Sequence, residues 1–332
     1  MKKTFLTIGL ILSIQAHAQK DNSCNNLAAS TCSSLGASDG TAVGTVKDSS
    51  ASFTEKLKTG TFPAVQKAFI KKISSLPVDE SARTAIIAKL NGVKFSTSCE
   101  DLSASLDPSL WPNSFYSPTE NTFYLCKAKP GMSEFAVAKM ISEELSAMVN
   151  PCGIDNIIRL PKEKTQAQSE SAYPVKGVIS CLRSEKSVGA KRNEASSFQD
   201  AGFCMNDQVT RAFTDWMTTE VVTDYISTKY KDLSQSQWRQ GVANAYRDEC
   251  AYGRMDDGFA DDPDFTSRIN GIVGANPDLR KKIGCYGSST YLYCDAANPD
   301  AMAKAVGAPK AAAPGSKGIP MSAPANSKGG VE

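Results

Sequence analysis

The sequence predicts a mainly helical α+β fold with a small β-hairpin or sheet edge, stabilised by disulfides. Three observations lead there. Apolar residues recur at helical spacing over several long stretches between positions 53 and 250. One aromatic-rich run, "NSFYSPTENTFYLC" at 113–126, alternates as strands do on either side of a turn. Ten cysteines, an even number, are spread through the chain at 24, 32, 99, 126, 152, 181, 204, 250, 285 and 294. With 332 residues, 41% of them hydrophobic, the chain can bury a substantial core.

Residues 1–18 open with Met1-Lys2-Lys3, run through an apolar segment from Phe5 to Ile14, and close on Ala16-His17-Ala18. This is the layout of a secretory signal peptide cleaved after Ala18. The apolar run falls well short of the roughly 20 residues of a membrane-spanning helix, so no membrane span is expected, and the protein is placed in the periplasm or outside the cell. Residues 19–50 are rich in Ser, Gly, Ala and Asp without periodicity, which predicts a loosely ordered, cysteine-containing arm. An N-terminal helical unit is expected over 51–107. In it, helical spacing runs from Phe53 to Leu76 with Pro63 in a first turn, and Pro77-Val78-Asp79 opens a helix that Asn91-Gly92 ends.

A larger domain is expected over 108–298. It begins with the hairpin around Pro118-Thr119-Glu120-Asn121, where Pro118 suits a turn and not a central strand. A helix then spans about 133–149, with Phe135, Ala136, Ala138, Ile141, Leu145 and Met148 on its apolar face and Asn150-Pro151 as its stop. The polar 160–200 stretch has no clear period. The longest helical pattern covers 206–230 and offers Val209, Phe213, Trp216, Val221 and Ile226 to a core, and a further helix follows from Ser234 to about Cys250. Beyond these, "RINGIVGANPDLRKKIGC" predicts a short helix with Pro277 at a turn or restart. The Ala-, Pro- and Gly-rich 299–332 tail has too little apolar surface to fold.

Composition excludes several functions. Removing Lys2 and Lys3 with the leader leaves 35 basic against 35 acidic residues, so nothing favours a nucleic acid or an anionic membrane as partner. The only histidine, His17, leaves with the leader, and with it any Ser-His-Asp or Cys-His catalysis. No SxxK motif offers a lysine base in its place, and no Gly-rich phosphate loop follows a strand. In an exported chain the cysteines predict up to five disulfides, the alternative being buried thiols, and no CxxC pair suggests a zinc knuckle. The short spacing of Cys24 and Cys32 makes a local loop between them the simplest single pairing to expect.

The hairpin "NSFYSPTENTFYLC", the helix "ISEELSAMVNPC" at 141–152 and the later "RAFTDW" at 211–216, taken in that order, resemble the gluzincin zinc metallopeptidases of the neprilysin-like kind over roughly residues 110–285. In that family two imidazoles at i and i+4 hold zinc, the glutamate between them activates the metal-bound water, and a second helix adds a carboxylate ligand. An aspartate one turn later orients a ligand of the first helix. The resemblance implies that Glu143 and Ala147 stand at the two histidine positions, Glu144 at the general-base position, Arg211 at the third ligand and Asp215 at the orienting position. The family's transition-state histidine corresponds to Asp262, in the Asp262-Pro263 step ahead of Arg268-Ile269-Asn270. Ala147 has no donor atom and Arg211 is a permanent cation, so the base and orienting positions persist while every ligand is replaced. No metal or other cofactor is therefore expected.

The replacements suggest an ion pair between Glu143 and Arg211 where zinc would sit; the plainer alternative is two separate surface residues. In such a cleft the hairpin edge, with Phe115, Tyr116, Phe123 and Tyr124, would receive an extended peptide or exported protein by strand addition. The implied function is that of an exported, catalytically inactive metallopeptidase-like protein. The alternatives are a hydrolase of other chemistry, drawing on the acidic "MDDGFADDPD" loop, or a purely structural protein. Trp111, Trp216 and Trp238 serve either the core or a binding platform.

Overall fold

The computed structural model describes residues 24, 26–29, 50–99, 114–126, 131–154, 157–158, 173–190, 208–246, 263–286 and 288–298. The expected signal segment 1–18, most of the 19–50 arm, Trp111, Cys32, Cys204, Cys250, the acidic stretch through Asp262 and the 299–332 tail lie outside these residues.

Helix formation follows the apolar spacing and the capping residues. α1 (Ser50–Lys56) runs through a π-helical turn at Leu57–Thr61 into α2 (Phe62–Ser75), with Pro63 just after that turn. α3 (Glu80–Asn91) starts at Asp79, whose carboxylate accepts the Ala82 amide at 2.9 Å. α4 (Glu134–Val149) is capped by Ser133, whose Oγ accepts the Ala136 amide. It stops at Asn150, whose Oδ1 accepts the amides of Cys152 and Gly153 at 2.9 and 2.8 Å. α5 (Lys176–Arg183) lies in the stretch without a clear period, and α6 (Gln208–Lys229) is the long helix expected there. α7 (Gln235–Ala245) opens with a reciprocal Ser234–Gln237 capping box. α8 (Pro263–Arg268) continues as a π-helical turn over Ile269–Val273, and α9 (Pro277–Lys282) restarts at Pro277 under an Asn276 cap.

The sheet has three strands in the order β1-β3-β2: β1 (Lys94–Ser96), β2 (Ser114–Ser117) and β3 (Thr122–Leu125). β2 and β3 form the expected hairpin, antiparallel, with Phe115 opposite Tyr124 and Tyr116 opposite Phe123. β1 joins β3 in parallel, an addition that the sequence did not predict. Asn121 adopts φ 50° in the turn, a left-handed conformation that Asn tolerates. Its Oδ1 accepts Tyr116 Oη at 2.6 Å, its Nδ2 donates to the Lys89 carbonyl, and its own carbonyl accepts the Lys94 amide at 2.9 Å. One side chain and its peptide thus tie the hairpin turn to α3 and β1.

The core is continuous from Phe53 through β3 and the helices to Ala296. α4 packs along α6, with α2 against both and α7 against α4. Phe62, Phe95 and Phe123 form an aromatic triangle with centroids 5.4 to 5.8 Å apart, joining α2 to both β1 and β3. Of the residues expected on the apolar face of α4, all but the half-buried Ala136 are buried, and all five named on α6 are buried. Trp216 and Trp238 are core residues, each 2% exposed, which removes these two from any surface platform.

Three disulfides are described: Cys24–Cys285, Cys99–Cys126 and Cys181–Cys294. Cys152 is also disulfide-bonded, and among the described residues no cysteine is free. The expected local Cys24–Cys32 loop is thus corrected. Cys24 lies in the core beside Leu27 and Ala28, where packing brings it to Cys285 across a separation of 261 residues. Short spacing in sequence did not decide the partner.

Candidate functional site

The α4–α6 pair sets the site. Spacing on α4 puts Glu143 and Glu144 about 100° apart around the helix axis, and the two meet different surroundings. Glu143 lies on the wall of a cleft of about 260 Å3, together with Thr210, Arg211, Thr214 and Asp215 of α6 and Arg268 of α8. Three of the residues singled out from the sequence, Glu143, Arg211 and Asp215, therefore converge. Ala147 is half-buried one turn along α4 from Glu143, and Asp262 falls outside the described residues.

Charge in the cleft is organised by ion pairs. Glu143 Oε1 accepts Lys139 Nζ at 2.5 Å across one turn of α4, and that ammonium also sits 4.8 Å from the ring centre of Tyr246. Arg211, the expected partner of Glu143, lines the same cleft. Asp215, 5% exposed, takes Arg268 Nη1 at 2.9 Å, and Thr219 donates to the Asp215 carbonyl at 2.7 Å. Asp215 thus links α6 to α8.

Glu144 faces the sheet. Its Oε1 accepts Ser114 Oγ at 3.2 Å and its Oε2 accepts the Tyr116 amide at 3.0 Å. The residue is half-buried, but its carboxyl is enclosed between α4 and β2. Desolvation there pushes its pKa from 4.5 up to about 7, opposed by the two hydrogen bonds and by Lys139. Burial also pushes the Tyr116 phenol up to about 12.

The four hairpin aromatics divide between the two faces of the sheet. Phe115 and Tyr124 stack at 4.8 Å on one face, while Phe123 is fully buried in the aromatic triangle and Tyr116 packs at the margin of the core. Only the first pair offers a ring surface away from the core.

Lys139, Ser114 and Arg268 were not singled out as site residues from the sequence. Lys139 stands four residues before Glu143, an i,i+4 relation readable in advance, but the apolar face it shares suggests no charged role. Arg268 becomes relevant only when α8 folds against α6. Among the described residues no group of three His, Cys, Asp or Glu is gathered as a metal-ion set. Among the same residues, no helix is long and apolar enough to cross a membrane. No family model and no curated protein matches the chain.

Proposed function

We propose that the protein is an exported, catalytically inactive relative of the gluzincin metallopeptidases that binds an extended peptide, or an exported protein through an extended segment, at the β2 edge. The observation that carries this reading is the convergence of Glu143, Arg211 and Asp215 on one cleft between α4 and α6, these being two of the three ligand positions and the orienting position of the resemblance. Donor chemistry supports loss of the metal. Ala147 supplies no lone pair, Arg211 brings a positive charge, and the chain has no histidine after His17. Glu144 has no metal-bound water to activate and is held instead by Ser114 and the Tyr116 amide.

The peptide reading draws on β2 being the last strand on one side of the sheet, with the Phe115–Tyr124 stack on one face to pack against ligand side chains. Export accords with the disulfides, which persist in oxidising compartments.

The test combines metal analysis of the purified protein with a peptide-library screen read for both capture and cleavage. The expected result is captured peptides left intact, with new hydrogen-exchange protection over 114–125. Stoichiometric zinc, or cleavage that a chelator abolishes, would overturn the reading. A further arm rebuilds the metal site with Glu143→His, Ala147→His and Arg211→Glu together. The correspondence of positions predicts zinc uptake by this triple variant and none by the parent.

A further inference from the structure

Among the described residues, the cleft between α4, α6 and α8 is lined only by polar and charged ones: Glu143, Thr210, Arg211, Thr214, Asp215 and Arg268. Both signs of charge are present, and this disfavours the simplest occupants. Two guanidiniums repel a metal cation, and two carboxylates repel a phosphate or other plain anion. The charges are held in place by the protein itself. Glu143 Oε1 accepts Lys139 Nζ at 2.5 Å, and Asp215 Oδ2 accepts Arg268 Nη1 at 2.9 Å. A carboxylate has several acceptor sites and a guanidinium several donors, so bonds of this kind leave such groups able to take a ligand as well. Arg211 is exposed and stands in the first turn of α6, a turn with no acidic residue, where the helix terminus adds partial positive charge. Thr214, about one turn on, accepts Asn150 Nδ2 at 3.5 Å through Oγ1, and its own O–H remains to donate. The cleft is therefore dipolar, with Arg211 and Thr214 at one pole and Glu143 at the other. Its volume of about 260 Å3 falls just below the roughly 300 Å3 at which sites for drug-sized ligands begin, which suits a molecule the size of a single residue.

We infer that this cleft binds a free α-amino acid as its zwitterion, the carboxylate taken by Arg211 and the Thr214 hydroxyl and the ammonium by Glu143. A zwitterion matches both poles at once, so each charge of the ligand meets its opposite. The planar guanidinium of Arg211 suits bidentate contact with a carboxylate. Glu143, anchored by Lys139 across one turn of α4, offers the ammonium an anion that is already in position. Neither the family resemblance nor a peptide at β2 is required for this site, and the two are tested with different ligands.

The experiment titrates the purified protein calorimetrically with each of the common α-amino acids, then with the amide and the N-acetyl derivative of the tightest binder. The amide lacks the carboxylate and the N-acetyl derivative lacks the ammonium. The expected result is saturable one-to-one binding of at least one amino acid, with each derivative weaker by at least about tenfold. Arg211→Met should weaken the amino acid by at least about tenfold and leave its amide nearly unaffected. Glu143→Gln should likewise weaken the amino acid while sparing the N-acetyl derivative. Absence of saturable binding by every amino acid at millimolar concentration would overturn the site. A derivative that binds as tightly as the amino acid would overturn it too, because one pole of the cleft would then go unread. The same holds if either variant, unfolding at the parent's temperature, weakens amino acid and derivative alike. Should a variant fold poorly, the derivative series still decides, since it uses the parent protein alone.

Discussion

Glu144 makes the pH dependence of stability readable at one residue. The unfolded chain releases this proton near 4.5 and the folded chain near 7. Between those values the folded state holds one proton more, so stability falls as pH rises, by at most about 1.4 kcal/mol per pH unit, and levels off above 7. Thermal unfolding followed from acid to neutral pH should show this slope, and Glu144→Gln should remove it. The Asp215–Arg268 pair gives a second expectation. Both side chains are largely buried, at 6% and 12% exposure, so Arg268→Leu removes a buried cationic partner of the carboxylate and should lower stability by about 3–5 kcal/mol in denaturant unfolding. Asp215→Asn, which keeps the shape of the side chain, should do less harm. The resemblance singles out Asp215 as an orienting position, but its partner Arg268 is 53 residues away and depends on how α8 docks.

Among elements, the crossing of α4 and α7 leaves little slack. A Cβ placed on Gly241 would lie 2.5 Å from the Phe135 ring, which is 1% exposed and set edge-on to Trp238 at 5.2 Å. Gly241→Ala should therefore destabilise by about 1–3 kcal/mol despite its better helix propensity, with the change visible in the unfolding midpoint and in the near-ultraviolet signal of Trp238. The long helices were legible because each carries a broad apolar stripe, to which α4 and α7 add a capping serine at the start, Ser133 and Ser234. β1 was not. It is three residues long, has no fully buried member, and exists by pairing with β3, a partner 28 residues away in sequence. α5 was missed for a related reason: eight residues give barely two turns of periodicity inside a polar stretch. The hairpin was legible because its turn chemistry is local, in Pro118 and Asn121.

On the scale of the whole molecule, two of the described disulfides close long loops, with separations of 261 and 113 residues, and Cys99–Cys126 closes a short one of 27. Replacing Cys181 and Cys294 together by Ala should cost about 2–5 kcal/mol, read as a lowered unfolding midpoint under non-reducing conditions. The presence of disulfides could be anticipated from an even cysteine count, but the pairing could not, since it is set by which core surfaces meet. The resemblance puts Glu143, Glu144, Arg211 and Asp215 at one site; Glu143, Arg211 and Asp215 line one cleft, whereas Glu144 turns toward β2, a facing that depends on where the sheet docks. The Cys24–Cys285 bond also fixes how the molecule carries mechanical load. Pulled from its two ends, the chain transmits tension directly from Cys24 to Cys285 and out through Cys294, so α1 to α9 hang as a slack loop off the line of force. In a single-molecule stretching experiment the core should stay folded and contribute no length until a reductant opens that bond.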